Sequence, residues 1–292
     1  MGIKDSIKNV YENKYKTLLI IPFLMLLLAL AQIGYQMSTE GDFIHRGVDL
    51  KGGIEIEFSD IEIQDTKALA QQVTDKLPQA DVAVRRNLQE GGFVIEASDV
   101  ESDELIATLQ ELVGPFTEDD YQSQTTSASL GESFFKETFF AIALAFLFMG
   151  LAVFITFRKY APSAAVILAA LSDIIVTLAI FNLTEIRLAK GALAGFLMLI
   201  GYSVDTDILL STKVLKRREG TVMDRVYSAM KTGLTMNFTT LAAVIVALFV
   251  TEAELIRQVM LILLIGLFVD MINTWIQNVG ILRWYLEGED ES

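Results

Sequence analysis

The chain lacks cysteine altogether and has a single histidine among its 292 residues. Without cysteine it can form neither a disulfide framework nor a thiolate site. The histidine, His45, lies in a predicted loop, and we interpret it as an ordinary polar residue rather than a titrating functional group. The chain also lacks a nucleophile paired with a base, a metal-ligand spacing and a phosphate-binding loop. The sequence therefore predicts no enzyme, no cofactor and no metal site.

Charge is absent from several long stretches, and 52% of the residues are hydrophobic. A helix needs about 20 mostly apolar residues to cross a bilayer. Six runs meet this condition, namely residues 17–37, 134–157, 162–183, 188–210, 233–251 and 258–282. We therefore predict a polytopic α-helical membrane protein with six transmembrane helices.

Lysine and arginine fall on one side of this six-helix arrangement. They cluster in the N-terminal tail at 1–16, in the pair Arg158 and Lys159, and in the connection 213–231. Positive charge in short loops stays in the cytoplasm. We therefore expect a cell-membrane protein with the N-terminal tail and the C-terminal tail, 283–292, inside.

Two features of these basic segments allow a further interpretation. Apolar residues within 213–231 are spaced as in an interfacial helix, which predicts contact with membrane lipids. The lysine-rich N-terminal tail, the apolar run and Ala29-Leu30-Ala31 would also fit a cleaved signal peptide. Because the run is long enough to span a bilayer, we favour an uncleaved first helix.

The segment 38–133 is predicted to lie outside the cell and carries the net charge. Its 6 Lys and Arg against 21 Asp and Glu give −15, whereas the whole chain is −14. An acidic exterior argues against nucleic acid as a partner. Alternating strands and amphipathic helices follow in the order β-α-β-β-α-β, with Gly91-Gly92 as a turn between the second and third strands. We predict an α+β ferredoxin-like domain.

Two motifs carry a resemblance to a known family. GVDLKGG, residues 47–53, precedes the first strand, and GYSVDTDILL begins at Gly201 in the fourth membrane helix. A glycine pair alone predicts no more than a tight turn. Together with the order of one helix, an outer domain and five helices, the motifs resemble the SecD/SecF family, in particular its archaeal SecF-type members. The matching positions are Gly47, Asp49, Gly52, Gly53, Gly201 and Tyr202.

The resemblance implies a role in Sec-dependent protein export and a place in the resistance-nodulation-division superfamily, whose transporters use two sets of six helices. This chain supplies one set. The resemblance therefore implies a SecD-like partner in a heterodimer beside the Sec translocon channel, where it would meet translocating polypeptides. The sequence departs from bacterial members, because the expected acid is displaced by one position. Either Asp205 or Asp207 inherits its role.

Four aspartates fall within the predicted spans: Asp173, Asp205, Asp207 and Asp270. An ionised acid at a helix centre costs about 2.5–3.5 kcal/mol on insertion scales, and no Lys or Arg lies well inside a span to pair with one. A carboxyl that exchanges a proton in this setting can act as a proton carrier, so the four are candidates for ion coupling. A supporting polar track is predicted from Ser203, Thr206, Asn237, Thr239 and Asn273.

The alternative is that these acids only hydrogen-bond across helices as polar glue. Asp205 and Asp207 differ by two residues, or about 200° around a helix, so they cannot face the same direction. We predict an accessory export subunit that uses the transmembrane ion gradient with its partner. Two other interpretations stay open: half of a small-solute or lipid efflux transporter, and a passive scaffold of the translocon.

Overall fold

The computed structural model describes residues 3–59, 61, 63–86, 92–216, 219–251 and 253–290. Long helices form the membrane part, and a small α+β domain is inserted between the first and second of them. The helices are α1 (Ile3–Asn13), α2 (Tyr15–Leu18), α3 (Ile20–Glu40), α4 (Val48–Lys51), α5 (Thr66–Lys76), α6 (Ser102–Val113), α7 (Ala128–Phe157), α8 (Tyr160–Asn182), α9 (Leu193–Lys216), α10 (Val222–Val250), α11 (Glu254–Ile272) and α12 (Val279–Asp290). The strands are β1 (Gly53–Phe58), β2 (Asp81–Arg86), β3 (Phe93–Ser98) and β4 (Tyr121–Thr126).

Within the described residues, six helical segments are long and apolar enough to cross a membrane. They are Tyr15–Glu40, Ala128–Phe157, Tyr160–Asn182, Lys190–Lys216, Val222–Val250 and Glu254–Gly288. The predicted number of spans is confirmed, and most helices extend beyond the predicted ranges. The helix α7 begins earlier than the predicted 134 because Ser127 caps it, its hydroxyl accepting a hydrogen bond from the Leu130 N–H.

The predicted interfacial helix within 213–231 does not form a separate element. Its Arg217 and Arg218 lie outside the described residues, and from Val222 onward the chain is already the first part of α10. Thr221 and Asp224 form a capping box that starts this helix. Val226 and Ala229 are buried against α9 and α12. Because this apolar face has protein partners, it packs inside the bundle.

The last span is interrupted by a π-helical turn, Asn273–Asn278, between α11 and α12. Four polar side chains in this turn are fully buried, namely Asn273, Thr274, Gln277 and Asn278. The helix then continues to Asp290, so most of the predicted C-terminal tail at 283–292 is helical. A π-turn is rare and is frequently found at functional sites, which directs attention to this part of the membrane core.

The small domain has the predicted element order β-α-β-β-α-β. Its antiparallel sheet has the strand order β2-β3-β1-β4. One face of the sheet packs with α5 and α6 into a core that includes Ile56, Phe58, Val73 and Leu109. Gly91, one half of the predicted turn, lies outside the described residues. The location of this domain outside the cell stays a prediction.

The GVDLKGG motif joins the small domain to the membrane part. Gly47 donates its N–H to the Leu188 carbonyl at 3.0 Å, and Leu188 donates its own N–H to the His45 carbonyl at 2.7 Å. A Cβ on Gly47 would lie 3.1 Å from the Leu188 oxygen. Gly52 has φ +91° and Gly53 has φ +140°, values that L side chains rarely adopt. The glycines therefore permit both the turn and the close approach.

Candidate functional site in the membrane core

Three of the four intramembrane aspartates lie in one buried polar cluster. Asp173 on α8, Asp207 on α9 and Asp270 on α11 have no exposed surface. Asp173 accepts hydrogen bonds from the Ser203 hydroxyl at 2.5 Å and from the Asn273 amide at 2.8 Å. These contacts tie α8 to α9 and to the π-turn.

Asp207 and Asp270 are bridged by one hydroxyl. The Thr274 Oγ1 atom lies 3.0 Å from Asp207 Oδ1 and 3.1 Å from Asp270 Oδ1. Asn278 donates a further hydrogen bond to Asp207 at 2.7 Å, and Asn237 donates one to Asp270 at 3.1 Å. A hydroxyl has one hydrogen and can donate to only one of two acceptors at a time, but it can also accept. Both contacts are therefore hydrogen bonds when one of the two carboxyls carries a proton.

Uncharged groups provide the hydrogen bonds to the cluster. Among the described residues, every hydrogen bond to the three carboxylates comes from a hydroxyl or an amide side chain. Asp207 Oδ2 is buried without a hydrogen-bond partner in the described part of the chain. Three ionised carboxylates so close together would repel each other without a nearby cation. The arrangement favours a proton on at least one of the carboxyls.

Asp205 is not part of this cluster. It is exposed on the opposite face of α9, whereas Asp207 is fully buried. The same exposed face carries Gly201, whose missing Cβ would meet no atom within 4 Å, and Tyr202, which is 40% exposed. The two acids thus face different environments, as their spacing predicts.

The predicted polar track is only partly assembled. Ser203, Asn237 and Asn273 bond to the acids. Thr206 is buried but donates to the Tyr202 carbonyl of its own helix, and Thr239 is exposed and donates to backbone carbonyls of α10. In the described part of the chain, neither threonine hydrogen-bonds to the acids.

Two further residues of the cluster, Thr274 and Asn278, were not predicted. The sequence contained a signal for them. Within 273–278 the first polar residue is followed by others one, four and five positions later, and these spacings place all of them on one side of a helix.

Within the described residues, no group of three or more His, Cys, Asp or Glu side chains is arranged to hold a metal ion.

The residues of the GVDLKGG motif do not belong to the aspartate cluster. They lie at the junction between the small domain and the membrane part. There Asp49 lies in the short helix α4, half-buried beside the strands.

Comparisons with known proteins identify the family. Residues 106–288 match the family described as Protein export membrane protein SecD/SecF, C-terminal. The chain belongs to the SecD/SecF family. A relative named Protein-export membrane protein SecF, from Methanocaldococcus jannaschii, is 36% identical, with 93% of this chain and 96% of the relative covered. The protein of the same name from Methanothermobacter thermautotrophicus is 38% identical, with 94% of each chain covered.

Solved structures of SecD/SecF proteins share the fold. The crystal structure of SecDF from Thermus thermophilus, described as a translocon-associated membrane protein, superposes with a TM-score of 0.72 at 17% identity and covers 94% of this chain. SecDF in its super-membrane-facing form gives a TM-score of 0.60 at 15% identity and covers 93% of this chain. In both comparisons this chain spans 38% of the SecDF chain. At these identities the likeness shows the fold alone.

Proposed function

We propose that this SecD/SecF family member is an accessory subunit of Sec-dependent protein export, in which it works with a SecD-like partner and responds to the transmembrane ion gradient. Family membership and the names of full-length relatives support the export role. The small domain would be the ferredoxin-like part outside the cell, in reach of a polypeptide as it emerges from the channel.

The exposed face of α9 is the proposed surface for the partner. Leu197, Met198, Gly201, Tyr202 and Asp205 lie on it at helical spacing. A carboxylate that faces lipid is costly, and a glycine lets another helix approach closely. We therefore assign this stripe to contact with the SecD-like subunit, which would supply a hydrogen-bond donor to Asp205. The extra length of SecDF beyond the part matched by this chain is consistent with a second unit.

The hydroxyl bridge between Asp207 and Asp270 is the observation that carries the ion-coupling proposal. Its two contacts, at 3.0 and 3.1 Å, are both hydrogen bonds only when one of the acids carries a proton, and the acids lie on different helices. Without that proton the Thr274 hydroxyl can donate only to Asp207 on α9 or to Asp270, one turn earlier in its own span, so proton binding decides whether the hydroxyl ties the last span to α9. In the scaffold alternative, the same bonds would be permanent and their protonation would have no effect on export.

Two matched substitutions on α9 test this proposal. We expect Asp207→Asn to leave the complex intact and to reduce export at least tenfold, because an amide cannot bind and release a proton. Asp205→Asn should mainly weaken association with the SecD-like subunit. The measurements are pulse-chase export of a secreted protein and co-purification of the partner, in cells with one copy of the gene.

Normal export with Asp207→Asn at a normal membrane level would contradict ion coupling through this cluster and favour the scaffold. Normal export after removal of the whole protein and its partner would overturn the export role itself.

A further inference from the structure

A second cluster of charged side chains lies where the small domain meets α11. Arg85 on β2 approaches three carboxylates, each from a different element. Its guanidinium lies 3.5 Å from Glu55 on β1, 3.5 Å from Glu96 on β3 and 3.8 Å from Glu254 at the start of α11. We call these four residues the Arg85 cluster. It includes a contact between the sheet and α11, which is the membrane helix that also carries Asp270.

The Arg85 cluster has more negative than positive charge. Glu55 and Glu96 are directly opposite each other in the β1–β3 register, where like charges destabilise a sheet. Glu96 is buried, and within the described residues its Oε2 atom and Arg85 Nε have no hydrogen-bond partner. One guanidinium cannot satisfy three carboxylates in this geometry. This placement of two glutamates opposite each other favours a proton on one of them.

Other charged groups surround the cluster and do not correct the imbalance. Arg187, in the loop between α8 and α9, lowers the pKa of Glu96. The Val48 N–H lowers it too, by donating a hydrogen bond to the same carboxylate. Asp49 on α4 raises the pKa of both strand glutamates, and Glu57 on β1 raises the pKa of Glu55. On α11, Arg257 lines the same cavity as Glu254, one turn further along the helix. The acidic side chains still outnumber the basic ones.

Burial has the larger effect on both strand glutamates. The pKa of Glu55 is raised to about 7: burial has the largest effect, Arg85 opposes it, and Glu96 and the nearby acids add to the increase. Burial also raises the pKa of Glu96. A pKa of about 7 means that Glu55 exchanges its proton near neutral pH, and an opening of the junction that admits water lowers this pKa.

We propose that Glu55, Glu96 and Arg85 form a proton-binding site at the junction, and that its occupancy controls how firmly the small domain holds α11. A proton between the two strand glutamates leaves Arg85 to bind Glu254. Loss of the proton leaves two carboxylates on the strands that compete for the guanidinium, and the tie to Glu254 weakens. The site is separate from the membrane cluster, and its behaviour does not depend on the export role.

The direction of the pH effect follows from linkage. Because water that enters an opened junction lowers the pKa of the strand glutamates, a proton on them favours the closed junction, and this effect is largest at low pH. Docking then weakens as the pH rises and becomes constant above about 7, the docked value for Glu55. Arg187 stays paired with Asp81 at 2.5 Å, and Lys67 with Glu185 at 3.1 Å. We therefore expect loosening at the Glu254 end of the junction, with the small domain still attached.

The absence of cysteine makes the test direct, since two introduced cysteines are the only labelling sites. Gln72→Cys on α5 and Ile256→Cys on α11 place spin labels at exposed positions on the two sides of the junction. Distance distributions are measured by pulsed electron paramagnetic resonance on the full chain in lipid nanodiscs at about pH 5 and about pH 8. We expect one narrow distribution at the lower pH and a broader, longer one at the higher pH.

Three substitutions in this labelled background test the roles within the cluster. Glu55→Gln removes the competing charge and should give the narrow distribution at both pH values. Glu254→Gln should give the broad distribution at both, because Arg85 loses its partner on α11. Glu118→Gln, the same change at an exposed acid of the small domain, should behave like the unsubstituted chain. A distribution that does not change with pH, or a full pH response in Glu55→Gln, would overturn the proposal.

Discussion

At the scale of single residues, the decisive feature is the Thr274 hydroxyl between two carboxyls. Among the described residues, it is the one side chain that bonds to both Asp207 and Asp270. The hydroxyl can switch between donating and accepting without any change of position. Removing the proton from this pair leaves the hydroxyl able to bond to only one of the two acids, so protonation changes the contact between the last span and α9.

Replacing Thr274 by valine keeps the shape and removes the hydroxyl. We expect Thr274→Val to reduce export as Asp207→Asn does, and to lower the stability of the folded protein by about 1–3 kcal/mol, because buried acceptors lose their donor. Thr239→Val is the matched control, since Thr239 is exposed and its hydroxyl bonds, as far as the described residues go, only to its own helix. Thermal denaturation in detergent and pulse-chase export give the two measurements, and equal behaviour of the two variants would contradict the role of the bridge.

The sequence predicted some of the side-chain directions at the site, but not the burial or the hydrogen-bond partners of each residue. The 100° step of a helix predicts that Asp205 and Asp207 face apart, but only the packing of α8 and α11 decides that Asp207 is the buried one. Asn273 was predicted, whereas Thr274 was not. The partner of a polar side chain depends on which helices are neighbours. A single amino-acid sequence does not show which helices pack together.

At the scale of elements, local capping decides where the membrane helices begin. The apolar run predicts a start at 233, yet α10 starts at Val222 because the Thr221–Asp224 capping box provides partners for the first N–H groups. The hydropathy pattern detects the apolar stretch, and the cap extends the helix beyond it. The π-turn at Asn273–Asn278 is likewise a feature of backbone hydrogen bonding, and the hydropathy pattern carries no information about it.

The cap of α10 can be tested by substitution. We expect Thr221→Ala to destabilise the start of the helix by about 1 kcal/mol and to speed hydrogen exchange of the amides of residues 222–226. Thr235→Ala removes a hydroxyl that bonds to the Lys231 carbonyl of the same helix, so exchange in 222–226 should stay unchanged. Equal exchange in the Thr221 variant would show that tertiary packing, and not the cap, holds this end.

At the scale of the whole molecule, α11 links the two polar clusters. Its first residue, Glu254, contacts Arg85 of the small domain, and its last turn carries Asp270. Between them, Gln258 is buried and bonds through both ends of its amide to the loop before α9, at Ala189 and Arg187. The six spans and the order of the small domain were predictable from periodicity, but this junction was not, because it joins residues far apart in the chain.

The most direct test of ion coupling compares translocation with and without an ion gradient. Inverted membrane vesicles carry either the unsubstituted protein or Asp207→Asn, each with its SecD-like partner, and import of a secretory polypeptide is timed before and after an ionophore collapses the gradient. We predict that collapse slows the unsubstituted vesicles to the rate of the variant and leaves the variant unchanged. Equal rates before collapse, with equal losses after it, would contradict a role for the buried aspartates in coupling.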